Sequence, residues 1–208
     1  MPDNPWATTP RASQNHDRLS ATKDGLRAQV KAARARQEPS AERDAHRGQH
    51  LIECAAGHSR IACYVSVGDE PDTRALLTAW WDRGYRLLLP VLAGHRAPAW
   101  AWCGGADELK PGFRGIPEPS GTTLDATALA SVSMIIVPAL LGTITGRRLG
   151  TGGGWYDRAL QHRSPRTPII AVLNAREIVD HLPHEPWDVP VSHFITELGL
   201  MTTTAASR

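Results

Sequence analysis

A short apolar run that leads into a glycine-rich, arginine-bearing segment constrains the fold of this chain more than any other feature. The run Ile135–Leu141 is branched and uncharged, which is typical of a strand buried on both faces of a parallel sheet. The segment 142–154 follows it with six glycines and two arginines, and the residues after Gly154 are typical of a first helical turn. This order predicts a loop whose backbone N–H groups bind an anion such as a nucleotide phosphate.

The glycines alone do not identify a ligand. They lack the closing Gly-Lys-Ser/Thr of a Walker loop, and Trp155 occupies the last position of Gly-x-Gly-x-x-Gly. Taken alone, they favour a flexible loop or a tight turn. Arg148, two residues before Gly150, and Trp-Tyr-Asp directly after the glycines favour a binding site instead.

Composition limits the class of protein. With 208 residues, 41% apolar and 21% charged, the chain is long enough for one domain with a full core. A formal net charge of +2 gives no general reason to expect nucleic acid or a membrane surface as a partner. We find neither a signal peptide nor a membrane-spanning run and expect a cytoplasmic protein. Cys54, Cys63 and Cys103 cannot all pair within the chain and are expected to be reduced.

The order of elements predicts an α/β domain with a mostly parallel sheet. We predict a disordered tail at 1–19, a single domain at 20–200 and a flexible tail at 201–208. The predicted helices are 20–36, 40–57, 73–83 and 155–162, and the predicted strands are 61–65, 85–92, 97–102, 134–137, 168–173 and 193–196. Since ligands bind beyond the carboxyl ends of such strands, Gly142–Asp157 lies where a ligand is expected.

Five segments, in order, resemble the 5-formyltetrahydrofolate cyclo-ligase family, also called methenyltetrahydrofolate synthetase. The central one is Arg-Leu-Gly-x-Gly-x-Gly-aromatic-Tyr-Asp-Arg-x-Leu, beginning at Arg148. The others are Lys23-x-x-Leu-Arg27, Tyr64-x-Ser-x-Gly-Asp-Glu-x-Asp-Thr73, Leu88–Pro90 with Gly115-Ile-x-Glu-Pro119, and Glu185-x-x-Asp-Val-Pro-Val191. The resemblance spans residues 20–198 and implies a three-layer α/β/α fold, like that of the sugar-phosphate isomerase and CoA-transferase group.

The resemblance also implies an activity. The family closes the ring of 5-formyltetrahydrofolate to give 5,10-methenyltetrahydrofolate, with ATP converted to ADP and phosphate. Phosphorylation turns the formyl oxygen into a leaving group, which requires a held and neutralised triphosphate. ATP and Mg²⁺ are therefore the expected cofactors, a folate is the expected small-molecule partner, and the protein is expected to be a monomer.

The resemblance implies that Arg148 grips the transferring phosphate as a catalytic residue, because a guanidinium stays charged and bonds phosphate oxygens in pairs. We expect this side chain to face solvent, so that its loss would hardly change folding. The implied nucleotide contacts are Lys23, Arg27, Arg148, Leu149, Gly150, Thr151, Gly152, Gly153, Gly154, Trp155 and Tyr156. By pattern alone, a solvated basic helix face is the favoured interpretation of Lys23 and Arg27, and Tyr156 fits core packing.

Glu70 is the expected folate contact, accepting hydrogen bonds from pterin N–H groups between the apolar faces of Val65 and Trp155. The implied substrate contacts are Val65, Glu70, Thr151, Gly152, Gly153, Gly154 and Trp155. Asp157 and Asp188 are the implied Mg²⁺ ligands, since this ion prefers one or two carboxylates plus phosphate oxygens and water. Without the resemblance, Asp157 is a first-turn helix residue and Asp188 a loop acid.

The chain departs from the family pattern at several positions. Gly142-Thr143 stands where the family usually has Phe-Asp, Trp187 replaces a common His, Ser192 replaces a frequent Asp, and Thr151 replaces a basic or aromatic residue. Two alternatives therefore stay open. One is a diverged paralog acting on another formyl or carboxyl compound. The other is a non-catalytic folate- or nucleotide-binding protein.

Overall fold

The computed structural model describes residues 23–38 and 40–206, so the predicted tail at 1–19 lies outside the described residues. The helices are α1 (Lys23–Ala35), α2 (Ala41–Cys54), α3 (Arg74–Trp81) and α4 (Trp155–Leu160). The strands are β1 (Arg60–Ala62), β2 (Arg86–Val91), β3 (Ala99–Cys103), β4 (Leu109–Pro111), β5 (Pro117–Pro119), β6 (Leu124–Asp125), β7 (Met134–Pro138), β8 (Leu141–Gly142), β9 (Arg148–Leu149), β10 (Ile169–Val172), β11 (His193–Thr196) and β12 (Gly199–Thr202).

One eight-stranded sheet organises the domain, in the order β12-β11-β10-β7-β1-β2-β3-β6. The strands from β11 to β2 run parallel. At one edge β12 pairs antiparallel with β11. At the other edge β3 pairs antiparallel with β2, and β6 pairs antiparallel with β3. Strands β8 and β9 form a separate small hairpin. The mostly parallel sheet confirms the predicted α/β class.

The central strands bury side chains on both faces, as their uninterrupted apolar sequences predict. Ile61, Leu87 and Ile136 belong to a core cluster that also contains side chains of α2 and α3. Ala62 and Ile135, their neighbours in sequence, belong to a second cluster that contains side chains of α4. Because successive strand residues point to opposite faces, these two clusters place helices on both sides of the sheet and give the three-layer arrangement.

The order of strands creates a switch point between β1 and β7. The chain runs from β1 through α3 to β2 on one side of β1, and β7, β10 and β11 then extend the sheet on the other side. In open α/β sheets the crevice outside the carboxyl ends of the strands at such a point is the usual ligand site. Here the loop after β1 carries Glu70, and the loop after β7 carries the glycine-rich segment.

Helix α1 is fixed across this carboxyl edge by a buried ion pair. The Arg34 guanidinium donates two hydrogen bonds of 2.7 Å to the Glu177 carboxylate and one of 2.9 Å to the Ala139 carbonyl, directly after β7. The two paired side chains are 3% and 2% exposed. Val30 adds an apolar contact to a cluster with Leu140 and Leu149. This docking positions the opposite end of α1 beside the glycine-rich loop.

Two segments differ from the sequence expectation. The predicted strand 61–65 ends at Ala62, because the Thr73 hydroxyl bonds the Tyr64 carbonyl at 2.9 Å and the Ser66 amide at 3.0 Å and so draws this segment out of the sheet. The predicted flexible tail from residue 201 overlaps β12, and Thr203 is buried. Within the described ranges no helix is both long and apolar enough to cross a membrane.

Candidate active site

A cavity of about 300 Å³ lies at the switch point. Its walls come from the start of α1, the loops after β1, β2 and β7, the glycine-rich loop and the segment before β11. Every predicted contact lines it. These are Lys23, Arg27, Val65, Glu70, Arg148, Leu149, Gly150, Thr151, Gly152, Gly153, Gly154, Trp155, Tyr156, Asp157 and Asp188. A second cavity, of about 770 Å³, lies between α2, α3 and the 66–74 loop. It shares Glu70 but contains no residue of the glycine-rich loop.

Two glycines shape the loop. Gly152 has a φ of 111° and Gly154 a φ of 60°, values that favour glycine. A Cβ at Gly152 would also come within 3.3 Å of the Arg27 guanidinium carbon. By contrast, a Cβ at Gly150 or Gly153 would meet no protein atom within 4 Å. The loop therefore turns tightly at Gly152 and Gly154 and leaves open space at Gly150 and Gly153.

The cations at the start of α1 face the cavity. The Lys23 ammonium lies 2.6 Å from an Asp188 oxygen, and the Arg27 guanidinium donates to the Gly150 carbonyl at 2.9 Å. Arg27 also pairs with Asp24. The Lys23 and Arg27 side chains are 22% and 19% exposed, so the alternative of a solvated basic helix face does not describe them. Each bridges α1 to a segment of the predicted site.

Arg148 lines the cavity, but the expectation of a solvent-facing side chain is wrong. Its side chain is 4% exposed and donates to an Asp157 oxygen at 2.7 Å and to the Val189 carbonyl. The hairpin β8–β9 places Arg148 against the segment before β11, and this packing excludes water from the guanidinium. Arg148 therefore holds three segments together in addition to presenting positive charge to the cavity.

The two predicted metal ligands converge. The Asp157 carboxylate accepts a hydrogen bond of 3.1 Å from the Val189 amide, so it lies beside the residue that follows Asp188. Burial alone would raise the pKa of Asp188, but hydrogen bonds from Lys23 and the Glu185 amide, with the Lys23 and Arg148 charges, lower it below the ordinary value. The ionised Asp188 carboxylate therefore stabilises the folded state at pH values above the ordinary aspartate pKa. This stabilisation is lost as pH falls through the lowered pKa of Asp188. Among the described residues no cluster of three or more His, Cys, Asp or Glu side chains is arranged to hold a metal.

Glu70 closes the opposite end of the cavity. Its carboxylate accepts a hydrogen bond of 3.0 Å from the Val67 amide. Burial raises the pKa of Glu70, an effect that the Val67 hydrogen bond and the Arg34 charge partly offset. Val65, on the same loop, is buried and belongs to the same core cluster as Tyr64. This end therefore combines apolar walls with one acceptor, whereas the glycine-loop end is rich in cations and backbone N–H groups.

Some lining residues had no predicted role. They are Tyr64, Val67, Pro90, Leu92, Ile116, Pro117, Pro138, Ala139, Leu140 and Trp187. Tyr64 and Ile116 lie within segments that carried the family resemblance, so the sequence already pointed to their neighbourhood as part of the site. Pro90 also lies within a segment that carried the resemblance, whereas Leu92 does not, and an apolar residue at the end of a strand is otherwise interpreted as part of the core. Trp187, a departure from the family pattern, is 64% exposed at this cavity.

The fold and the candidate site define a class of protein. It is an α/β domain with a loop suited to binding anions at the carboxyl edge of a mostly parallel sheet. The 5-formyltetrahydrofolate cyclo-ligase family model matches residues 19–197. The chain belongs to this family.

Curated relatives carry the same family name. The 5-formyltetrahydrofolate cyclo-ligase of Mycolicibacterium smegmatis is 38% identical over 145 residues, which cover 65% of this chain and 72% of the relative. That of Escherichia coli K12 is 32% identical over 139 residues, covering 65% and 76%. The segments that match span most of the relatives' length, so the likeness is not confined to the glycine-rich loop.

Solved structures of methenyltetrahydrofolate synthetases share the fold. The 5,10-methenyltetrahydrofolate synthetase of Aquifex aeolicus superposes with a TM-score of 0.72 at 24% identity, covering 88% of this chain and 93% of that one. The enzyme of Mycoplasma pneumoniae gives a TM-score of 0.67 at 19% identity, covering 85% and 99%. At these identities the likeness establishes the fold.

Proposed function

We propose that this protein catalyses the ATP- and Mg²⁺-dependent cyclisation of 5-formyltetrahydrofolate to 5,10-methenyltetrahydrofolate, with release of ADP and phosphate. The names of its relatives supply the reaction. The observation that carries the proposal to this chain is that a cationic, glycine-lined end and an apolar, carboxylate-bearing end meet in one cavity. A triphosphate and a flat heterocycle have to be held side by side for this reaction, and the two ends suit those two chemistries.

At the glycine-loop end, Lys23, Arg27 and Arg148 neutralise the triphosphate, and the loop amides contribute further donors. Gly150 and Gly153 leave room for the ligand to approach the backbone. Because the Arg34–Glu177 pair fixes α1, the two α1 cations are held in place before the nucleotide binds. Such preorganised charge stabilises a transferring phosphoryl group more than mobile charge does.

At the other end, Glu70 accepts hydrogen bonds from the N–H groups of the folate ring, and Val65 contributes an apolar wall. The formyl oxygen then attacks the γ-phosphorus, and the bond from that phosphorus to the β,γ-bridging oxygen breaks to release ADP. The N10 amine attacks the activated formyl carbon and loses its proton, and phosphate leaves with its oxygen. The protein's part is to align the two substrates in line and to neutralise charge.

Asp157 and Asp188 fit a magnesium site of the kind that nucleotides complete. Two carboxylates on neighbouring segments, facing a phosphate-binding loop, are the protein share that Mg²⁺ usually takes, with phosphate oxygens and water supplying the rest. Both carboxylates also pair with cations of the site, Asp157 with Arg148 and Asp188 with Lys23. The bound ion would lessen the charge on the triphosphate. A monomeric, cytoplasmic protein completes the proposal.

The test is a direct assay of purified full-length protein with 5-formyltetrahydrofolate, ATP and Mg²⁺, followed by the absorbance of the methenyl product. We expect product that requires both ATP and Mg²⁺. Glu70→Gln should weaken folate use, whereas Asp69→Asn, a matched change at the exposed neighbouring acid, should not. No product under conditions in which another family member is active would refute the proposal. ADP release with a different formyl compound would identify a diverged paralog, and binding without turnover a non-catalytic protein.

A further inference from the structure

Trp187 is a large apolar side chain that remains in contact with water at the switch-point cavity. It is 64% exposed, and of the large exposed apolar side chains in the described ranges only Trp187 lines this cavity. Its ring forms no aromatic pair and no cation–π contact with another described residue. Packing against the described residues therefore does not explain the indole. An exposed aromatic ring on the wall of a cavity is typical of a ligand contact.

The backbone that carries Trp187 is fixed on both sides. The Asp188 amide donates to the Glu185 carbonyl at 3.0 Å, and the Glu185 amide donates to the Asp188 carboxylate at 2.9 Å, which closes a turn around Trp187. Directly after this turn, the Val189 amide donates to the Asp157 carboxylate at 3.1 Å. The indole thus stands on a preorganised segment, which lowers the entropy that a ligand contact would cost.

The same turn lies at the glycine-loop end of the cavity. The Asp188 oxygen that accepts from the Glu185 amide also accepts from the Lys23 ammonium, at 2.6 Å. Lys23 and Arg27 are the α1 cations assigned to the triphosphate, whereas the folate ring is assigned to the Glu70 end. A ligand that uses both the cations and the indole joins an anionic chain to a planar group. A nucleoside triphosphate has this form, because its phosphates suit the cations and the flat faces of its base suit stacking on an indole.

We propose that Trp187 stacks on the purine base of the bound nucleoside triphosphate. This inference rests on the proposed function for its ligand, and it adds a contact that the sequence motifs do not assign. Every purine has a π face, so the contact supplies affinity without selecting adenine over guanine. Trp187 therefore acts on nucleotide binding and leaves the transfer of the phosphoryl group to the residues around the glycine-rich loop.

The experiment is equilibrium binding of ATP, with Mg²⁺, to the full-length Trp187→Leu variant, which removes the ring and keeps an apolar side chain. The dissociation constant for ATP should rise about 5- to 10-fold, the loss of one base–aromatic stack. Inorganic triphosphate, which has no base, and 5-formyltetrahydrofolate should each bind within about twofold of the wild type. Trp187→Phe keeps a stacking ring and should stay within about threefold for ATP. Ile144→Ala, at an apolar side chain of similar exposure outside the cavity, is the control and should bind ATP as the wild type does.

Tryptophan fluorescence gives a second readout. ATP should quench the wild-type emission more than inorganic triphosphate does, and Trp187→Leu should reduce this difference. Unchanged ATP affinity in Trp187→Leu overturns the inference and leaves the proposed function standing. A loss shared by inorganic triphosphate, which would reflect a disturbed Asp188 turn, also overturns it, as does a loss confined to the folate. A wild-type protein that binds no nucleotide refutes the proposed function and this inference together.

Discussion

Replacing Arg148 by Met tests whether this residue holds the site together as well as presenting charge to it. The Arg148 side chain is 4% exposed, and its guanidinium connects β9 to Asp157 and to the Val189 carbonyl. Met keeps most of the apolar stem but removes both hydrogen bonds and the charge. Asp157 would then retain one described donor, the Val189 amide at 3.1 Å.

The expected magnitude follows from exposure. Removing one partner of a fully buried ion pair costs about 3–5 kcal/mol, because the remaining charge is buried alone. The Asp157 side chain is 24% exposed, so water solvates part of the orphaned carboxylate and lowers this cost. The Val189 carbonyl loses a charged donor, and hydrogen bonds to charged groups contribute about 1.5–3 kcal/mol. We expect Arg148→Met to lower the free energy of unfolding by about 2–4 kcal/mol.

The assay is urea denaturation of the full-length protein without ligands. Arg147→Met is the matched control, since Arg147 is the adjacent arginine and only its backbone is seen to make hydrogen bonds in the described structure. Its unfolding free energy should stay within about 0.5 kcal/mol of the wild type. An Arg148→Met variant as stable as the control would refute the reasoning and restore the picture of a solvent-facing phosphate ligand.

Four further substitutions test the other parts of the site. Asp157→Asn and Asp188→Asn should each raise the Mg²⁺ concentration needed for product formation, with folate binding in the absence of ATP intact; an unchanged Mg²⁺ titration in both would contradict the metal proposal. Because burial raises the pKa of Glu70, its ionised form is lost as pH falls through a value above the usual ~4.3. Folate affinity measured by titration should fall in that window, and Glu70→Gln should flatten the profile. The Cβ that Gly153→Ala adds would meet no protein atom within 4 Å, so this variant should keep the wild-type melting temperature yet bind the ligand more weakly. The control, Gly48→Ala in α2, should not affect binding.

The central sheet was predictable because its strands are buried on both faces. The expected strand 134–137 is β7 at Met134–Pro138, and the expected strand 193–196 is β11 at His193–Thr196. The first of these is short, apolar and rich in β-branched residues, and its length favours a buried strand over a helix. The end of β1 was not predictable, because side-chain bonds of Thr73 decide it. Such bonds depend on a contact that the local pattern does not contain.

The members of the site were predictable from motifs, but their partners were not. Sequence spacing brings Lys23 and Arg27 to one helix face, yet the Lys23–Asp188 pair joins residues far apart along the chain. The burial of Arg148 has the same origin, since it requires the segment before β11 to pack against the β8–β9 hairpin. Long-range packing of this kind follows from the topology of the sheet. A local motif carries no information about it.

The structure also bears on whether the departures from the family pattern argue for another substrate. Thr143 is buried, its hydroxyl bonds the Thr145 hydroxyl at 2.8 Å, and it does not line the cavity. At Gly142 a Cβ would come within 2.5 Å of the Phe194 ring. A phenylalanine at position 142 would thus need the space that Phe194 fills, which makes this departure a matter of packing. Thr151 and Trp187 do line the cavity. A changed substrate would therefore have to act through these two side chains, and replacing Trp187 by His, while following turnover of 5-formyltetrahydrofolate, tests that route directly.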